Sequence, residues 1–324
     1  MVTAGPTYNY SYDGMYRLSG MTDSNNNTIV NNVSYNAANQ LLTMNYPAAN
    51  EVRGYNVLNQ LTSLSTGSSE NLTYNYPSGS NNGKISSMVN AVTGETINYT
   101  YDSLNRLLTA SGSGWGQQYG FDSFGNLLSK TVTSGSGPSM SVSVNPATNQ
   151  IEAVDGYTYD ANGNMSLASA GLTYDVENHV SIANSAGSNI TYAYDSQNRR
   201  VWSWPGSEDL LGNTIGYTLN MYSPTGQKLG AYKLNPAING NFEPFMIVAL
   251  VSSDQFFGSR RLAVMDQLGS VGTYYPWGEN RGSTKPQDTW SFGTYWTDSV
   301  SGLDYANNRY YFNSLGRTPI FKTA

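Results

Sequence analysis

Tyr99-Thr100-Tyr101-Asp102-Ser103-Leu104-Asn105-Arg106-Leu107 places two aromatic residues one apart, then an acid, an asparagine three residues further on, and an aliphatic residue. Side chains alternate along a strand, so Tyr99 and Tyr101 share one face. A carboxylate at 102 can accept a hydrogen bond from the backbone two residues on and open a turn. Asn105 tolerates positive φ and can close a short hairpin loop. Leu107 then begins a return strand. The stretch reads as one strand's end, a tight turn and the next strand's start.

The same pattern recurs along the chain. Tyr119-Gly120-Phe121-Asp122 leads through Gly125 and Asn126 to Leu127, and Tyr157-Thr158-Tyr159-Asp160 leads through Gly163 and Asn164 to Met165. Further copies run over 12–18, 35–41, 55–61, 174–180 and 194–201, the last ending on Val201; looser ones run over 76–85, 144–151 and 222–229, the last ending on Leu229. The anchor aromatics fall 15 to 28 residues apart, most often near 20. Each unit is then a β-hairpin, and eleven units predict about twenty short strands. A lone hairpin is marginal in water, so the units must pair edge to edge. The predicted class is all-β: tandem hairpins in a twisted, spiral strip, a partial or small β-shell.

Composition narrows the chemistry. The 324 residues include no cysteine and one histidine, His179, which excludes cysteine nucleophiles, disulfides, thiolate metal sites and multi-histidine sites. Charged residues make up 12%, about half the usual ~25%, while Tyr numbers 26 and Gly 33, a strand-and-turn vocabulary. Net charge is 16 − 22 = −6 with no basic stripe, which argues against nucleic acid as a partner. The longest apolar run, Phe245 to Val251, has seven residues, and a bilayer takes ~20, so no membrane span is expected. The first twelve residues have neither a basic nor an apolar leader segment, so no signal peptide is expected.

The repeat resembles the YD repeat of the RHS family, and the C-terminal third strengthens the resemblance. Gln255 to Leu262 resembles the family's YFGGRLI strand, and Asp266-Gln267-Leu268-Gly269-Ser270-Val271 its DHLGSV motif. Tyr274 to Glu279 resembles YYPYGE. The run Gly302-Leu303-Asp304-Tyr305, then Arg309-Tyr310-Tyr311, then Leu315-Gly316-Arg317 is similar to the RHS-associated core. The resemblance implies structural roles for Tyr101, Asp102, Tyr159, Asp160, Tyr194, Asp195, Asp266, Leu268, Gly269, Gly302, Leu303, Tyr305, Arg309, Tyr310, Tyr311, Gly316 and Arg317. It also implies a spiral sheet around a cavity. In bacterial RHS proteins and the C component of toxin complexes that cavity houses a C-terminal toxin; teneurins use a similar shell in adhesion. A toxin cargo, or shell segments encoded elsewhere, are the partners implied, and a secreted or cell-surface location. After Arg317 the family's autoproteolytic segment is missing, so the chain reads as a shell piece without toxin or autoprotease. The motifs divide it into YD repeats over 1–205 and an associated core over 206–324, with loop-like interruptions at 204–216, 235–244 and 282–287.

No catalytic, cofactor or metal site is expected. His179 holds the register of Arg17, Gln60 and Arg106 in other units and reads as an exposed turn residue; no Gly-x-Ser-x-Gly elbow accompanies it. The recurring aspartates read as turn formers rather than paired acid and base. Asp160-Ala161-Asn162-Gly163-Asn164 imitates half a calcium loop, but Met165 stands where that loop needs glycine and Gly171 where it needs glutamate. The tyrosine ladders are expected to pack across strands; the alternative is a module that stacks cell-surface glycan on exposed rings.

Overall fold

At each hairpin predicted by the repeat, a residue in the left-handed region turns the chain back. Asn39, Asn59, Asn105, Asn178 and Asn198 have φ of 61°, 61°, 62°, 66° and 63°. Asparagine visits this region at low cost, and glycine at 125, 163 and 226 takes it elsewhere. The structure, a computed structural model, describes residues 6–167, 171–185, 188–205, 217–235, 246–282 and 287–318. The three predicted interruptions lie mostly outside these residues. Half the chain is strand and 2% helical, which settles the all-β class.

Two compact units are present. One comprises Met1–Ser141 with Phe256–Val271. Its strands are β1 (Tyr8–Tyr12), β2 (Leu18–Asp23), β3 (Thr28–Tyr35), β4 (Leu41–Tyr46), β5 (Ala49–Tyr55), β6 (Leu61–Ser65), β7 (Asn71–Asn75), β8 (Ser87–Asn90), β9 (Glu95–Tyr101), β10 (Leu107–Gly112), β11 (Trp115–Phe121), β12 (Leu127–Gly135) and β13 (Met140–Ser141). They pair in sequence order in one thirteen-stranded antiparallel sheet. Among the described residues β1 and β13 each have a single neighbour, so the sheet is open and not a barrel.

Alternation decides what this sheet buries. Along β7 exposure and burial alternate strictly, with Leu72 and Tyr74 inward, packed with Leu64. Met21, Ile29, Val30, Met44 and Tyr46 form a second cluster, closed by Phe257 from the distant segment 256–271. Each such side chain contributes about 1.5–3 kcal/mol of burial. The segment is tied down by tyrosines: Tyr10 donates to the Phe256 carbonyl (2.9 Å), Tyr46 to that of Ala263 (3.0 Å), and the Gln267 N–H donates to Tyr74 (3.3 Å).

The second unit comprises Val142–Gln255 with Gly272–Ala324. It holds a hairpin of β14 (Tyr157–Tyr159) and β15 (Met165–Leu167). A seven-stranded sheet follows, again in sequence order: β16 (Gly171–Tyr174), β17 (Val180–Ser185), β18 (Ser188–Tyr194), β19 (Arg200–Pro205), β20 (Tyr217–Tyr222), β21 (Lys228–Asn235) and β22 (Met246–Ser253). A small sheet of two-residue strands, Thr289–Trp290, Trp296–Thr297, Asp304–Tyr305 and Tyr310–Tyr311, completes it. The motif division at residue 205 describes sequence content, and these packing units describe a different property.

Candidate functional site

The repeated turn is the chain's principal device, and its chemistry is the same in copy after copy. Asp102 Oδ1 accepts from the backbone N–H of Leu104 and of Arg106 (both 2.9 Å), and Oδ2 accepts from Arg106 Nε (2.7 Å). The Asn105 N–H closes the turn on the Asp102 carbonyl (2.9 Å). Asp13, Asp160 and Asp195 make the same set, with Asn164 replacing arginine in the third copy. At Asp102 and Asp13 the backbone N–H of the arginine four residues on is the main cause holding the carboxyl below its usual pKa. Asp266 builds this turn too, accepting from the N–H groups of Leu268 and Ser270 (2.8 Å each), with Gly269 at φ 81° and Leu268 exposed. Burial nevertheless pushes the Asp266 carboxyl up, and burial first, then Asp266 and Glu51, pushes Glu70 up to about 7.

Adjacent hairpins are stitched through the anchor tyrosine. Its hydroxyl donates to the carbonyl of the residue that begins the return strand of the preceding unit: Tyr35 to Leu18 (2.7 Å), Tyr76 to Leu61 (3.0 Å), Tyr101 to Ile85 (2.9 Å), Tyr174 to Met165 (2.6 Å), Tyr194 to Val180 (2.8 Å) and Tyr222 to Arg200 (3.0 Å). Tyr159 differs, accepting from the Ile151 N–H (2.9 Å). The polar turn residue lies over the next anchor ring: Arg17 over Tyr35 at 4.6 Å, Arg106 over Phe121 at 4.8 Å, and Arg199 over Tyr222 at 5.2 Å. Removing one stitch should be measurable. Tyr101→Phe keeps the ring and is expected to cost about 1 kcal/mol, read as a fall in the urea midpoint; an unchanged midpoint would mean the carbonyl is equally well solvated by water.

His179 corrects the expectation of an exposed turn residue. It holds the predicted register, but it is buried, stacked on Tyr194 at 4.6 Å, with Nδ1 3.1 Å from Asp175 Oδ2. The stacking that places arginine over the next anchor ring brings the shorter imidazole inside.

A second correction concerns the aliphatic position. Strand pairing sets Tyr12 opposite Leu18, Tyr101 opposite Leu107 and Tyr174 opposite Val180. The same register sets Tyr194 opposite Arg200, not Val201, and Tyr222 opposite Lys228, not Leu229. Both cations are buried, whereas Leu229 is exposed. The sequence copies ending on Val201 and Leu229 are therefore one residue out, because an apolar neighbour outweighs a cation in a pattern search.

Arg200 organises the C-terminal motif residues. Its Nη1 donates to Asp298 Oδ2 (2.6 Å) and to the Tyr310 hydroxyl (3.1 Å), and its backbone N–H donates to the Tyr305 hydroxyl (2.7 Å). The rings of Tyr192, Tyr305 and Tyr310 surround the guanidinium at 4.9, 4.7 and 5.8 Å. Tyr192 (2.9 Å) and the Ser301 N–H (2.9 Å) both donate to Asp298 Oδ1. Burial opposes ionisation of Asp298, but Arg200, with hydrogen bonds from Ser301 and Tyr192, overrides it and holds the carboxyl below its usual pKa. Tyr194 joins through its contact with Tyr310 (3.2 Å). Leu303 is fully buried; Gly302 and Gly316 supply positive φ at turns; Tyr311 donates to the Trp277 carbonyl (3.0 Å); the N–H of Phe312 donates to the Arg317 carbonyl (2.8 Å). Arg309 accepts through its carbonyl from the Ala306 N–H (2.7 Å). Tyr101 and Asp102, with Asp266, Leu268 and Gly269, belong to the other unit.

That other unit has a charged centre the sequence reading missed. The Glu51 side chain is buried, accepting from Arg53 Nε (2.6 Å), from Arg260 and from Tyr46 (3.3 Å). Spacing gave no signal, since Glu51 and Arg260 are 209 residues apart.

Residues 80–210 match the Teneurin YD-shell family model. That stretch, 131 of the 324 residues, is similar to the YD shell of teneurins. Solved structures share the fold. The TcdB2-TccC3-Cdc42 crystal structure superposes with a TM-score of 0.74 at 18% identity, over 98% of this chain and 19% of that one. The TcdB2-TccC3 structure gives 0.69 at 17%, over 98% and 20%. The chain thus spans about a fifth of the length of these solved chains, and at such identities the likeness is one of fold. No curated protein matches the sequence. Among the described residues no helix is long and apolar enough to cross a membrane, and no cluster of three or more His, Asp or Glu residues is placed to hold a metal ion.

Proposed function

We propose that this chain is a wall segment of an encapsulating shell, with YD repeats over 1–205 and the RHS-associated core over 206–324. Its role is steric: a sheet separates a polypeptide cargo from its surroundings, and any catalysis belongs to the cargo. The observation that carries this reading is the stitching. In the copy at 99–107 each polar group that was a candidate for chemistry is spent on the fold: aspartate on its own turn, anchor hydroxyl on the preceding carbonyl, arginine on the next ring. Likeness to the TcdB2-TccC3 structures supports it, since the whole described architecture is shared.

Limited proteolysis of the protein isolated from its native cells tests the reading. A second polypeptide, or a further segment of the same chain, should resist protease while the sheet is intact and become sensitive once urea has unfolded it. Isolation of this chain with nothing protected overturns the proposal.

A further inference from the structure

The buried face of the thirteen-stranded sheet turns polar along one row. Strand register places Val52 opposite Ser65 and Ser65 opposite Asn71. Carried one residue along, it aligns Glu51 with Thr66 and Thr66 with Glu70, and the Thr66 N–H donates to the Glu70 carbonyl (2.9 Å). Side chains alternate, so Thr66 shares the inward face of Leu64, and Glu70 that of Leu72 and Tyr74. The turn at Asp266 reaches the same face: the Gln267 N–H donates to Tyr74 (3.3 Å), and Asp266 is the charged group acting most strongly on Glu70.

The acids of this row are not equally provided for. Glu51 has Arg53 and Arg260. Glu70 and Asp266 make no ion pair among the described residues. Thr66 is 3% exposed, yet its Oγ1 makes no hydrogen bond among the described residues, and neither does the buried Glu70 Oε2. Native proteins leave few buried polar atoms in that condition. Water could satisfy both oxygens, but it would leave two carboxylates together without a cation. A bound cation answers both needs. The Asp266 carboxylate also serves its own turn, but a carboxylate has about four acceptor sites and keeps capacity for an ion. All the donors are hard oxygens; the chain has no cysteine, and His179 belongs to the other unit, which points away from zinc and copper. Donors drawn from a hairpin and a distant segment suit the flexible coordination of calcium better than the strict octahedron of magnesium.

We propose that Thr66, Glu70 and Asp266 bind one calcium ion, with water completing its shell, and that the ion ties the 256–271 segment to the sheet. Two carboxylates make a weak site, with a Kd of about 10⁻⁴–10⁻³ M, the range of extracellular calcium modules. The test is calorimetric titration of the full chain with calcium chloride and, separately, with magnesium chloride. Calcium should show one saturable site, weakened tenfold or more by Glu70→Gln and at least threefold by Thr66→Val. Thr66→Val removes one oxygen and keeps the side chain's shape, so it keeps the test valid if Glu70→Gln folds poorly. Asp160→Asn, in the turn that imitates half a calcium loop, should leave binding unchanged. No saturable heat with calcium, magnesium binding as tightly as calcium, loss of binding in Asp160→Asn alone, or full-strength binding by both Glu70→Gln and Thr66→Val overturns the proposal.

Discussion

Asp298→Asn is expected to cost about 3–5 kcal/mol, the usual result of stranding one partner of a buried ion pair. Arg200 and Asp298 are both buried, with exposures of 5% and 3%, so solvent cannot replace the lost charge. Asparagine can keep the acceptor used by Tyr192 and Ser301, so the loss isolates charge from hydrogen bonding. Tryptophan fluorescence during urea unfolding reads it directly, because Trp202, Trp204, Trp277, Trp290 and Trp296 all lie in the unit that holds the pair. The second arm is Arg200→Leu, which restores the residue type found at Leu18, Leu61 and Leu107. Combined with Asp298→Asn, it should recover about 2 kcal/mol or more relative to the sum of the single losses. Additive losses would show that the pair is uncoupled. Acid supplies an independent check. The folded pKa of Asp298 is depressed, so its contribution is complete above the unfolded value of ~3.9 and fades as pH falls through the lower folded value. The variant should lack that share of the acid sensitivity.

The sheet was legible because it repeats. Tyr101, Asp102, Asn105 and Leu107 each act locally, within one turn and its flanking strands, and eleven copies average out their irregularities. The anchor aromatic was legible as a packing residue, but its hydroxyl's target was not: that carbonyl belongs to the preceding unit, and backbone carbonyls carry no sequence signature. Burial of His179 was hidden for a related reason, since its partner Tyr194 is in the following unit. The charged centres were least legible. Arg200 meets Asp298 across 98 residues and Glu51 meets Arg260 across 209, contacts that only the packed chain creates. Arg200 and Lys228 did carry a signal, a cation in a position otherwise aliphatic, but the apolar residue next to each drew the pattern one place along.

Lys228 occupies the same structural position as Arg200 with a different outcome. Arg200 has a carboxylate at 2.6 Å and three rings around it. The Lys228 Nζ lies 3.2 Å above the Trp296 ring. Such a contact, when desolvated, offsets about 2 kcal/mol, against several for burying an ion. Burial, with Arg200 adding to it, therefore lowers the Lys228 pKa to about 7. Below that value the folded state carries the full cost of a buried ammonium. Between about 7 and the unfolded ~10.4 the unfolded chain holds a proton the folded chain has released, so this residue makes stability rise with pH. Lys228→Met is expected to stabilise the protein by about 1–4 kcal/mol at pH 6. Met165 fills the same position opposite Tyr159 and is fully buried, so the side chain fits the register. The gain should shrink toward pH 10, where the wild-type amine is neutral in the folded state, and subtracting the two urea-midpoint profiles removes the ionisations common to both proteins. A pH-independent difference would place the ammonium in contact with solvent. A destabilised variant would show instead that the contact with Trp296 outweighs burial, and that both cations in the aliphatic position hold the last strands of the sheet against the C-terminal motif.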